Sequence, residues 1–181
     1  MTDSSTGGAL RNPDLLAVYC NDHLAAATGG IELVSRMIGR WRGTPYEQPL
    51  EQLLDELREE RSGLRTTMAA LGFPVRQYKQ LGTWVGEKLS RVKLNGRLFS
   101  RSPLSDLIEF EFISTAVLAK RAGFETLRAV GESDHRVDAA LLDRLIDQAD
   151  EQHKWLAEAR REVAASIFGG RSQAASESAD T

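Results

Sequence analysis

Five side chains of types that ligate metals stand at positions that would otherwise be apolar: Asp22, His23, Glu60, Glu111 and His153. Carboxylates and imidazoles offer the oxygen and nitrogen donors that iron and manganese accept. Burying such groups is costly unless each finds a partner. A shared metal ion is one possible partner. A salt-bridge network is the other, and a partly different set could build it: Asp22, His23, Arg61, Glu111 and Gln152. The planar guanidinium of Arg61 could grip Glu111 or Asp22 with two parallel hydrogen bonds, and His23 or Gln152 could complete the layer. Arg61 favours the network, because a guanidinium beside a metal would repel it. The working expectation is therefore a polar layer with no cofactor, with iron or manganese as the alternative.

These residues can meet only if the chain forms several long helices. The apolar residues recur at threes and fours, with almost no alternation of the strand type. Asn12-Pro13, Thr44-Pro45 and Ser102-Pro103 each set a capping side chain before a proline, a helix-start signal. Glu47 adds a capping box to Thr44. The first helix is expected from about Pro13 to Trp41, the second from Pro45 to Leu71, the third from Pro103 to before Gly131, and the fourth from near Asp138 to Phe168. The third is apolar nearly all round and is expected to be the most buried. Counted at about 1.5 Å per residue, the polar positions of the four helices fall at levels that agree to roughly 10 Å.

About thirty residues separate helices two and three, too many for an ordinary bundle turn. Val75, Tyr78, Leu81, Val85, Leu89 and Val92 keep a loose helical spacing there, so a short crossover helix is expected. The fold class is all-α: a ferritin-like four-helix bundle with that crossover between helices two and three. A plain up-down bundle with an excursion at one end is the competing arrangement. Residues 1–11 and 169–181 are small and polar and are expected to be disordered around a bundle domain at 12–168.

Three motifs strengthen the fold expectation. They are Tyr19-x-Asn21-Asp22-His23, Lys93-Leu94-Asn95-Gly96-Arg97-Leu98 and Ser102-Pro103-Leu104-Ser105. On them, residues 13–168 resemble the ferritin-like superfamily and, more narrowly, an uncharacterised actinobacterial ferritin-like helical family. The resemblance implies a di-metal site with a Glu on each of two helices and Glu-x-x-His on each of the other two. This chain departs from that pattern. Ser62 and Gly63 follow Arg61 where a histidine is needed, and helix four offers Asp150-x-x-His153.

Bulk composition narrows the function classes. The chain has 181 residues, 41% hydrophobic and 27% charged, with net charge -3, so there is no global attraction to nucleic acid or membrane. No apolar run is long enough to span a bilayer, and no signal-peptide core is present. The single cysteine, Cys20, rules out an internal disulfide and fits a cytoplasmic location. It reads as a small core residue. The segment carrying Arg76, Lys79, Lys88, Arg91, Lys93, Arg97 and Arg101 is basic; such a patch can bind nucleic acid or acidic lipid, but the commoner reading is a solvated face balanced by helix-two acids such as Asp55, Glu56 and Glu59. Gly29 and Gly30, after Ala25-Ala26-Ala27, suggest close helix packing or room for an aromatic such as Phe112, with a kink as the competing reading. The expected function is non-catalytic: a bundle acting through an unknown protein partner or a homodimer, with no membrane and no nucleic-acid partner. The alternative is a di-metal carboxylate protein that stores or oxidises iron or manganese.

Overall fold

The computed structural model describes residues 10–76 and 102–169. Four helices and no strand occur among them: α1 Pro13–Arg40, α2 Glu47–Ala70, α3 Pro103–Gly131 and α4 Ala139–Phe168. The expected crossover helix, the basic segment beyond Arg76, and most of both termini lie outside the described residues.

Pro13 and Pro103 open their helices at the first turn, as expected, but Asn12 and Ser102 make no side-chain capping bond. The capping box at Thr44 also departs from expectation. Glu47 reaches past Thr44 to accept from the Gly43 amide at 2.6 Å, and α2 begins at Glu47, two residues after Pro45. Gly43 itself sits at φ +73°, which lets the chain reverse tightly between α1 and α2. The working side-chain cap belongs to α4, where Asp138 accepts from the Leu141 amide at 3.0 Å.

Contacts between helices fix their directions. Tyr19 meets Thr126, His23 lies against Gly123, and Arg40 pairs with Asp106 and Glu109, so α1 and α3 are antiparallel neighbours. Tyr46 bonds Glu162, Gln152 bonds Glu60, and Gly63 lies under Leu145, so α2 and α4 are antiparallel neighbours too. The short connections at residues 41–46 and 132–138 make α1–α2 and α3–α4 antiparallel hairpins. It follows that α2 and α3 run parallel. The chain leaves α2 beside the start of α1, where Asn21 bonds Pro74, and re-enters at Ser102 beside the end of α1. The plain up-down arrangement is thereby excluded.

Two hydrophobic clusters fill the interior. The upper one gathers Leu33, Val34, Met37, Leu50, Leu53, Phe110, Ile113, Leu156 and Val163, with Trp41, Tyr46 and Trp155 packed around Phe110. The lower one gathers Cys20, Leu24, Leu64, Met68, Phe124, Leu127, Leu142 and Leu145. The third helix is less buried than its composition suggests: Leu104, Phe112 and Leu118 are exposed. An apolar residue is not thereby a core residue; only the stripe Leu107, Phe110, Ile113, Val117, Phe124 and Leu127 turns inward.

Candidate functional site

A polar layer separates the two clusters. On α2, Glu60 falls between Leu57 above and Leu64 below; on α3, Lys120 falls between Val117 and Phe124. Both are on the inward stripe of their helix because three- and four-residue steps carry that stripe through them. Glu60 is 1% exposed, and the Lys120 side chain 15%. Lys120 Nζ donates to Glu60 Oε2 at 2.5 Å and to Gln152 Oε1 at 2.5 Å. Gln152, from α4, donates through Nε2 to Glu60 Oε1 at 2.8 Å and to Glu56 Oε2 at 2.7 Å. One amide thus receives from the ammonium and gives to two carboxylates. Burial pushes the Glu60 carboxyl up and the Lys120 amine down, each toward its neutral form, and the ion pair pulls each of them back toward charge.

The network expectation is corrected in its membership. Gln152 and a carboxylate do form a buried layer, but the cation is Lys120 and the acid is Glu60. Arg61 lines the adjoining cavity and has no acid partner among the described residues. Asp22 is exposed. His23 is half-buried; its ring packs against Tyr19 with centroids 4.5 Å apart and planes tilted by 60°, and it lies over Gly123. Desolvation lowers the His23 pKa, against a smaller upward pull from Asp22. Glu111 is exposed and faces Arg160 at 3.6 Å. The sequence signal for Lys120 was its phase, three residues after Val117 and four before Phe124. The run Lys120-Arg121 disguises it as a solvated charged patch.

The five metal-ligand candidates are not brought together. Glu60 is engaged by Lys120, His153 meets Ser114 Oγ at 3.1 Å, Glu111 faces Arg160, Asp22 points to solvent and His23 packs on Gly123. No three histidine, cysteine or acidic residues gather as a metal-holding group among the described residues. The donor set does not fit a di-metal centre, because an ammonium already sits on its buried carboxylate.

Asn21 answers for the rest of the Asn-Asp-His motif. It is buried, donates to Ala17 O at 2.8 Å and Pro74 O at 3.1 Å, and accepts from the Arg76 amide at 2.7 Å. Its amide pins the segment after α2 to α1. The small-residue run does not break α1, and Gly30 is not a point of close helix packing. The helix is continuous, and a Cβ on Gly30 would meet Ile113 Cδ1 at an ordinary 3.9 Å. The true close approach is at Gly123, where a Cβ would stand 2.7 Å from His23 Cε1. Ala26, Ala27, Gly29 and Gly30 instead leave a cavity of about 450 Å³ between α1, α2 and α3, with Glu60 and Lys120 in its wall.

Comparison with protein families, with characterised proteins and with solved structures finds no match to this chain.

Proposed function

We propose that this chain is a ferritin-like bundle whose polar layer takes the place of a metal centre, and that it works by protein association without catalysis. The observation that carries this reading is the Lys120 ammonium held 2.5 Å from buried Glu60. A buried carboxylate needs a positive partner, and here the chain supplies its own. A metal entering this layer would have to displace Lys120. The parallel course of α2 and α3, with one long connection between opposite ends, supports the ferritin-like topology. Homodimer formation is the form of association proposed; exposed Leu15, Val18, Leu104, Phe112 and Leu118 on α1 and α3 are the apolar surface available to a second copy. The lone buried cysteine supports a cytoplasmic setting. Among the described residues no helix is long and apolar enough to cross a membrane.

The test is elemental analysis of untagged protein purified without chelator, before and after incubation with iron(II) or manganese(II). The expected result is metal far below one per chain and an unchanged melting temperature. Stoichiometric metal that disappears in Glu60→Ala and His23→Ala would overturn the reading and restore the di-metal alternative. Sedimentation over a concentration series checks the association half, which fails if the chain stays monomeric throughout.

A further inference from the structure

The cavity beside the polar layer lies where close packing lapses. The clusters above and below it are filled by Leu, Phe, Met and Val. At the layer itself α1 presents alanine and glycine, and nothing on α2 or α3 fills the space they leave. Ala26 and Ala119 line the cavity and are solvent-exposed, so it opens to water along the α1–α3 seam. Its volume of about 450 Å³ falls within the range of small-molecule sites. An apolar cavity of roughly 150 Å³ holds benzene, with six non-hydrogen atoms, so by the same ratio this one has room for about eighteen.

The wall also specifies chemistry. Its four charged residues, Asp22, Glu60, Arg61 and Lys120, balance two against two, so the lining has no net charge to attract an ion. His23, lowered by burial, adds none near pH 7. Lys120 Nζ has three N–H groups and spends two of them on Glu60 and Gln152. The third has no acceptor among the described residues, and an ammonium can only donate.

We propose that the cavity binds one small, neutral, largely apolar molecule whose single carbonyl or hydroxyl oxygen accepts a hydrogen bond from Lys120. The apolar body fills the space that Ala26, Ala27, Gly29 and Gly30 leave open. The oxygen completes the coordination of the ammonium. This inference rests on the metal-free reading of the layer, because a metal there would displace the Lys120 donor from Glu60; elemental analysis tests that reading, and the titration below tests this one.

The test is calorimetric titration of the full chain with 2-acetylnaphthalene and with its near-isostere 2-ethylnaphthalene, which lacks the oxygen. The ketone is expected to bind once per chain and about tenfold more tightly than the hydrocarbon, the difference one charge-assisted hydrogen bond supplies. Ala27→Leu, which fills the cavity, removes binding of both; Ala116→Leu is the second filling variant should the first fail to fold. Lys120→Met brings the ketone to the affinity of the hydrocarbon, and Lys120→Met/Glu60→Met serves where the single variant is unstable. Absence of saturable ketone binding to the parent chain would overturn the proposal. So would undiminished binding to a folded filling variant, or equal affinity of the parent chain for ketone and hydrocarbon.

Discussion

The aromatic end of the bundle and its middle are built on opposite principles. At the end, Trp41, Tyr46 and Trp155 surround Phe110 edge-on, with ring centroids 5.5, 5.7 and 6.3 Å from it. Large rings fill that end, and Phe110 is 0% exposed. In the middle, Glu60, Lys120 and Gln152 are chosen for complementarity, and α1 contributes space. The end gains stability chiefly from the apolar area that each ring buries. The middle gains little net, because desolvating Glu60 and Lys120 offsets their attraction, but it admits only one register of α2, α3 and α4. Stability and specificity are therefore located in different layers of the same bundle.

That contrast can be broken most directly by truncation. Phe110→Ala is expected to cost about 4 kcal/mol, from the lost transfer energy and the cavity left among three aromatic neighbours. Chemical denaturation measures it, and a loss below about 1 kcal/mol would mean that the end is not packed as described.

The middle should respond differently to one change than to two. Lys120→Met is expected to cost about 3 kcal/mol, because Glu60 is left buried without a cation. Adding Glu60→Met to the same chain should recover most of that loss, since two apolar side chains of similar length replace a pair whose attraction barely covers its desolvation. In the aromatic end a second truncation deepens the loss and recovers none of it. If the double variant at the layer is as unstable as the sum of its singles, Glu60 and Lys120 are energetically independent and the contrast between the two regions disappears.

A smaller effect is expected at Asn21, which ties α1 to the segment after α2. Asn21→Ala strands the Pro74 carbonyl and the Arg76 amide and removes two cross-segment bonds. A cost of about 2 kcal/mol is expected. Hydrogen exchange at the Arg76 amide should accelerate more than exchange in the middle of α2. Uniform acceleration would show that Asn21 supports the whole bundle and not that junction alone.

Much of this architecture was legible in the residues. The proline-led helix starts at Pro13 and Pro103, the spacing of Leu50 through Met68, and the stripe from Leu142 to Val163 all state local preferences that the packing respects. A polar layer near mid-length was legible too, because charge on a buried stripe demands a partner. Its membership was not. Arg61 and Lys120 are both basic residues near an apolar stripe, and only the rotation of each helix decides which one turns inward. One helical position, about 100° of rotation, separates Glu60 from Arg61. Glu111 was misplaced for the same reason: beside Phe110 it is one step off the stripe, and the step carries it to solvent. The cavity was least legible, since a sequence of small residues fits tight packing and empty space equally well. The position of α3 relative to α1 decides between them.

The lower cluster offers the finest probe of the boundary between packed core and open middle. Cys20 is 1% exposed within that cluster and also borders the cavity. Burial pushes its thiol up to about 11, against a smaller downward pull from a backbone hydrogen bond. At pH 8 the thiolate fraction is then roughly one in a thousand, well under that of an exposed cysteine. Iodoacetamide should therefore label the native chain slowly and the denatured chain quickly. If the cavity carried water down to Cys20, desolvation would be relieved and native labelling would approach the denatured rate. Ala27→Leu sharpens the measurement: filling the cavity should leave an already protected thiol unchanged, but would slow the labelling of one reached through the α1–α3 opening.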